Sequence, residues 1–509
     1  MTLHFDVLIV GAGSAGSVLA SRLSEDAACL VGVVEAGGMP ADPDIADPLK
    51  WPALQDRDYD WAYRTVPQEF TAGRVHEWPR GRIVGGSSCL HAMAHVRGHP
   101  RDFDAWAKAG GERWSHEGLL AGFERSERLT GHRGTSRCGQ GPLDVYLPDD
   151  EVSPVVRAYM AAGTALGVPA LAHHNAGDLI GTSQNSLTIR SGRRLSVADA
   201  YLTPEVLARK NLTILTDHEI EHLELVGQRA VAAICIAGGS TQRISADRIV
   251  LSAGAVSSPL ILIRSGIGDP AVLREAGISC VSERREIGAN LQDHLLALGN
   301  VYRSRKPVPP SRLQHSESLM YLDSGDFSRD SGPPDIVLAC VVAPSVAPGL
   351  EAPPYGQAFT ILCGVTHPTS RGSIRPGGPG RADRPVIDPH YLETDSDRAL
   401  FRKALRAART VGRQAALEEW RAEEVLPGPD IQSDAELDAF IARAASTHHH
   451  PAGTCRMGRD ADAVVDAELK LNGFENLFVV DASVFPSLPS GPINAAVVAV
   501  AENWAAAQG

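Results

Sequence analysis

The feature that most constrains this chain stands near its N-terminus, where residues 5–16 read FDVLIVGAGSAG. The apolar run Val7-Leu8-Ile9-Val10 lies between a charged residue and a glycine, the pattern of a strand buried on both faces. A glycine turn from Gly11 to Gly16 follows, and residues 17–23 carry helical spacing. Strand, glycine turn and helix in that order are the context of a dinucleotide fingerprint. Gly11 permits the tight turn, Gly13 lets backbone approach a pyrophosphate, and Gly16 lets helix pack on strand. Ser14 and Ala15 open a helix whose unpaired N–H groups face the phosphates. A second predicted strand, residues 30–34, ends at Glu35 and Ala36 and sets a carboxylate within reach of ribose hydroxyls. The fingerprint predicts a bound dinucleotide and leaves NAD and FAD both open.

A chain of 509 residues with 43% apolar composition is large enough for two or more domains. It has no basic leader and no apolar stretch long enough to span a bilayer, so a cytoplasmic protein without membrane attachment is expected. A formal net charge of −13 argues against nucleic acid and anionic membrane as partners. The eight cysteines (Cys29, Cys89, Cys138, Cys235, Cys280, Cys340, Cys363 and Cys455) show no CxxC spacing, as expected of reduced thiols. Oligomeric state is left open, a monomer included.

Residues 40–80 hold prolines and aromatics without periodicity, and a glycine and serine loop at 81–88 is expected to break into a helix around 88–94. Residues 152–166 carry helix spacing. From 211 onward short strands predict a meander with turns at Gly227-Gln228 and Gly238-Gly239, after which residues 248–251 return to the first sheet. Between about 300 and 435, apolar strands at 335–343 and 357–366 and helices at about 395–416 and 433–445 predict an antiparallel α+β domain. The tail returns to the first domain through a strand leaving at Asp481. A final helix at 494–507, apolar on all sides, is expected to be buried.

Further blocks stand in order along the chain. Gly81-Arg82-Ile83-Val84-Gly85-Gly86-Ser87-Ser88 leads to Leu90-His91, Gly98 and Asp104; Gly254-Ala255 leads to Ser258-Pro259, Ile261-Leu262 and Ser265-Gly266-Ile267-Gly268. GANLQDH at 288–294, HPAGTCRMG at 450–458 and VDASVFPS at 480–487 complete the set. Together they resemble the glucose-methanol-choline (GMC) oxidoreductases, FAD-dependent alcohol oxidases and dehydrogenases. One position, His95, departs from the family pattern of an aromatic residue or alanine.

The resemblance implies an α/β, Rossmann-like FAD-binding domain joined to an α+β substrate domain with an antiparallel sheet. The expected segments are 1–150, 196–297 and 446–509 for FAD, and 151–195 and 298–445 for substrate. It implies FAD rather than NAD. The fingerprint residues Gly11, Gly13, Ser14, Ala15, Gly16, Glu35 and Ala36 would hold the adenine end, with Ile220 offering a backbone contact to adenine. Arg82, Val84, Gly85, Ser88, His91, Ala92 and Ala94 would face the flavin side. Ala253, Asp481 and Ala482 would meet the pyrophosphate and ribityl chain. Pro492 and Ile493 would bring the start of the final helix to the flavin N1/C2 carbonyl, where its positive end suits the charge of the reduced ring. Some relatives tether FAD through a histidine where this chain has Leu90, so a non-covalent flavin is expected.

Oxidising an alcohol removes a hydride, which a flavin takes, and a proton, which suits a histidine near neutral pH. His450 matches the family's catalytic histidine and is expected to be the general base. Adjacent histidines cannot all reach one ion from a strand, and no cysteine or acid completes a ligand set, so no metal is expected. Where the family has a second catalytic His or Asn, this chain has Pro492, which offers no hydrogen bond. Either His448 replaces that group, sharing a face with His450 if the segment is extended, or one histidine suffices. The Pro492 and His448-x-His450 combination resembles members acting on aromatic hydroxymethyl compounds. The expected reaction is pyridoxine to pyridoxal, with O2 reduced to H2O2. The alternatives are a choline-like or aliphatic alcohol with another electron acceptor, and a hydroxynitrile lyase.

Overall fold

A computed structural model describes residues 3–131, 139–325, 327 and 332–508. Cys138 lies outside the described residues. The opening strand, Leu3–Val10, has Val7, Leu8, Ile9 and Val10 almost fully buried, as the apolar run requires. It runs parallel to Val31–Val34 on one side and to Ser240–Leu251 on the other. Leu212–Leu215 adds a further parallel strand beyond Val31–Val34, and Leu477–Val479 pairs with Ser240–Leu251, so both ends of the chain meet in one sheet.

The predicted meander forms and runs straight into the central sheet. Ser240–Leu251 is one continuous strand whose first half pairs antiparallel with Arg229–Ala237 and whose second half pairs parallel with the opening strand. The turn at Gly238-Gly239 thus feeds directly into the central sheet. The helix expected around 88–94 is absent. Gly86–Cys89 forms a single 3-10 turn and Met93 has φ +60°. Carbonyls that a helix would satisfy internally are taken by a neighbouring segment: Arg194 donates to His91 O, and Thr188 N to Met93 O.

A second sheet contains Gly181–Gln184, Leu295–Ala297, Val301–Ser304, Ser316–Leu322, Ile336–Val341, Ala358–Val365, Arg421–Leu426 and Ala445–Thr447, with every pairing antiparallel. The helix Asp395–Gly412 buries Phe401, Leu405 and Val411 beside it in the second core. Two expected boundaries shift. Leu295–Ala297 and Ala445–Thr447 pair with each other, and Leu295–Ala297 also pairs with the strand Ala358–Val365. The second sheet therefore begins before residue 298 and extends past 445.

The final helix, Asn494–Ala506, is buried from Ala495 to Ala505, as expected. Its one buried acid, Glu502, is satisfied by Arg22 at 2.8 Å and by the Tyr201 hydroxyl at 2.7 Å. A buried charge of this kind is tolerated only when paired.

Candidate active site

Gly11, with φ +99°, turns the chain where a side chain would run into Ser252 O at 2.7 Å. A Cβ on Gly16 would meet Gly11 O at 1.8 Å, so helix and strand are as close as the fingerprint demands. A Cβ on Gly13 would reach only Gly86 Cα, at 3.8 Å, which leaves this side of the turn open. The helix Ser14–Leu23 starts there without a side-chain cap, so its first N–H groups await an acceptor. Gly85 N donates to Ala12 O at 2.8 Å, bringing the 82–88 loop over the turn. Ser88 Oγ donates to Gly85 O and accepts from Val197 N, which stiffens that loop, and Val84 N is held by Gly38 O. Ser14 Oγ donates to Asn494 Oδ1 at 2.7 Å, tying together the N-termini of the first and last helices, beside Ile493 and Pro492.

Glu35 accepts from Ala12 N at 2.8 Å and Gly37 N at 2.9 Å. Burial pushes its carboxyl up to about 7 despite these donors, so the charged form is under-compensated. Ala36 follows it, and Ile220 lies nearby on the strand His218–Val226, whose His218 N donates to Glu35 O at 2.9 Å. The side chain of Asp481 is consumed by protein donors: Gly254 N and Ser258 Oγ on Oδ2, and Ser483 N on Oδ1. It fixes Ala253 and the helix that follows, so any cofactor contact at 481–482 falls to backbone. Likewise His91 turns its Nδ1 toward Met93 N and Arg194, with Ala92 and Ala94 in the irregular turn around it. Arg82 stacks on Trp61 at 5.1 Å, and its buried Nε has no protein partner.

The second cluster is built from the other sheet. Leu295 is paired with both Val365 and Thr447, so antiparallel register sets His294 between Thr366 and His448. His448 N donates to His294 O at 2.8 Å. The segment then departs from the extended form: His449 has φ +64°. Three bonds hold this left-handed kink, which a non-glycine residue adopts at a cost of about 1 kcal/mol or more. His449 N donates to Thr447 Oγ1, Arg80 Nη2 to His449 O, and His450 N to Asp293 Oδ1 at 2.7 Å. The kink still brings the His448 and His450 rings within 4.3 Å, by a route other than a shared strand face.

His294 Nδ1 lies 2.9 Å from His450 Nδ1, and His294 Nε2 lies 2.7 Å from Thr366 O. Burial lowers His294 and His448 to about 3 and His450 well below its ordinary value. All three rings are neutral at pH 7. His294, His448 and His450 converge closely enough to admit a metal ion, a third imidazole that the argument from adjacent histidines did not consider. The 2.9 Å Nδ1–Nδ1 contact is a hydrogen-bond distance and occupies two of those nitrogens with each other. A small cavity beside this cluster is lined by His294, Tyr321, Val337, Val365, Thr366, His448 and the Ser490-Gly491-Pro492 turn. Pro492 faces it without a polar side-chain atom.

Sequence reasoning gave no role to His294 and Asp293, which the structure places in this cluster. Both stand in the GANLQDH block, noted there only as a family signature. Asp293 also accepts from Thr447 Oγ1 at 2.6 Å and Tyr391 OH at 2.5 Å, so it ties the kinked segment to the second sheet. His95, the departure from the family pattern, is buried against Glu127 at 2.9 Å, which Arg97 also clamps.

Two family models described as GMC oxidoreductase match residues 5–296 and 368–501. The chain belongs to the GMC oxidoreductase family. It is 54% identical over 503 residues to a pyridoxine 4-oxidase of Microbacterium luteolum, covering 98% of this chain and 99% of that protein. It is 36% identical to a mitochondrial choline dehydrogenase of Mus musculus, covering 99% of this chain and 89% of the relative. The solved structure of a pyridoxine 4-oxidase from Mesorbium loti superposes with a TM-score of 0.97 at 53% identity, covering 99% of both chains. The enzyme is an FAD-dependent oxidoreductase acting on alcohols. The cradle fits this cofactor: the turn at Gly13 is open, the first helix is uncapped, and the buried hydroxyl of Ser252 beside Gly11 has no protein partner.

Proposed function

We propose that the enzyme oxidises pyridoxine to pyridoxal and passes the two electrons to O2, forming H2O2. The observation that carries this reading is His448 lining the cavity with Pro492, its ring against that of His450. Two neutral imidazoles then serve one alcohol oxygen where other members use a side chain at the proline position. Similarity to pyridoxine 4-oxidases supports the substrate. Tyr321, Val337 and Val365 give the cavity an apolar wall.

When bound, FAD supplies the hydride acceptor. His450 takes the hydroxyl proton and, as a neutral base, is ready to do so without first losing one of its own. His448 hydrogen-bonds the alcohol oxygen and orients the carbon that loses hydride. The positive ends of the helices Ser14–Leu23 and Asn494–Ala506 favour negative charge on the cofactor side. FAD is held without a covalent bond, since Leu90, at the tether position, packs with Ile45, Leu54, Ile83 and Cys89. The mixed sheet built from three chain segments carries the cofactor, and the antiparallel sheet carries the substrate. No helix among the described residues is long and apolar enough to cross a membrane. A cytoplasmic location fits the scattered cysteines.

The test is anaerobic mixing of purified holoenzyme with pyridoxine, then readmission of air. Bleaching of the flavin followed by one H2O2 per pyridoxal supports the reading. Bleaching by choline but not pyridoxine favours a choline-type enzyme, and no bleaching by any alcohol favours a lyase.

A further inference from the structure

We propose that His294 is a positioning residue that selects the tautomer of His450, leaving His450 Nε2 as the atom that accepts the substrate proton. The inference rests on His450 being the base. It begins at Thr366, whose backbone carbonyl has no hydrogen to give. His294 Nε2, 2.7 Å from that oxygen, must therefore carry the hydrogen of that contact. A neutral imidazole carries only one, so His294 Nδ1 presents a lone pair. The contact of 2.9 Å between His294 Nδ1 and His450 Nδ1 then requires the hydrogen on His450 Nδ1. His450 is left with an unprotonated Nε2 on the opposite side of its ring.

Each link is fixed by backbone. Thr366 N donates to Asp335 O, and the Leu295 register holds His294 between Thr366 and His448. His450 N is pinned by Asp293. The charged and titratable groups around His450 are His294, His448, His449, Arg80 and Asp293. Burial above all, and beside it the Arg80 guanidinium, disfavours a second proton on His450, which keeps a single-proton tautomer the relevant state. The carbonyl, His294 and His450 thus form a one-way hydrogen-bond relay ending in a base.

Two substitutions separate this role from simple anchoring. In His294→Asn the amide oxygen falls near the former Nδ1 and still accepts from His450 Nδ1–H. In His294→Gln the side chain reaches toward Thr366 O and loses the acceptor facing His450. The readout is the rate constant of anaerobic flavin reduction at saturating pyridoxine, with substrate affinity and flavin content measured in parallel. His294→Gln is expected to slow reduction about 100-fold, the scale of a misdirected general base, and His294→Asn to stay within about 10-fold of wild type. Flavin content should be unchanged in both, with substrate affinity altered only a few-fold. A Gln enzyme as fast as or faster than the Asn enzyme, or both at the wild-type rate, overturns the assignment. A His450→Ala enzyme reduced at the wild-type rate overturns both this inference and the reading beneath it.

Discussion

The nucleotide cradle and the imidazole cluster are built on opposite logics. The cradle is made of backbone: N–H groups at a helix start, a glycine turn and a loop whose Gly85 N reaches Ala12 O. The cluster is made of side chains from residues 293–294 and 448–450, with the Thr366 carbonyl, brought together by antiparallel pairing. Backbone sites depend on absence of bulk, so they tolerate no added atoms and are written in glycines. Side-chain sites depend on which strands become neighbours, so their function is written in register.

The sharpest way to break this contrast is to add bulk to the cradle. Gly16→Val should leave little soluble, flavin-loaded protein, because its Cβ alone would sit 1.8 Å from Gly11 O. Flavin absorbance per protein checks this, and normal loading would show that the cradle is not a backbone site. In the cluster, Asp293→Asn leaves bulk unchanged but weakens an acceptor for three donors. It should slow flavin reduction at least 10-fold and lower stability by about 1–3 kcal/mol while FAD remains bound, as read by stopped flow and denaturant titration.

Acid should separate the two regions further. His76 and His174, held at about 4, and His294, at about 3, are buried and neutral in the fold but would titrate at about 6.5 when unfolded. The unfolded chain binds more protons, so their contribution is complete above about pH 6.5 and is lost as pH falls toward 3–4. Each should remove about 1.4 kcal/mol per pH unit in that window, and thermal unfolding between pH 7 and 5 measures the slope. Glu35 gives a smaller effect on the cradle side. With its carboxyl near 7 it gains charge as pH rises, so FAD should bind apoprotein more tightly at pH 8 than at pH 6. Glu35→Gln should weaken FAD binding about 10-fold and flatten that pH dependence, as read by fluorescence titration.

The strand, glycine turn and helix of the cradle were legible, because they and the acid at Glu35 lie within one continuous stretch. So were the final buried helix and the strands at 336–341 and 358–365. The fused strand Ser240–Leu251 was not, since its polar, exposed first half gives no sign of continuing into the buried apolar run Ile249–Leu251, and the two halves take different partners. At the site, His450, His448 and Pro492 were visible as residues, but not the kink at His449 that brings the rings together. His294 was quoted within a motif without a role, because nothing local places it beside a histidine 156 positions away.

The most direct measurement of the account is the rate of anaerobic flavin reduction by pyridoxine in wild type and His450→Ala, each with FAD bound. Rapid bleaching is expected in the wild type and a loss of about 10²–10⁴-fold in the variant, the usual weight of a general base. Reduction of the His450→Ala flavin at near the wild-type rate would contradict it.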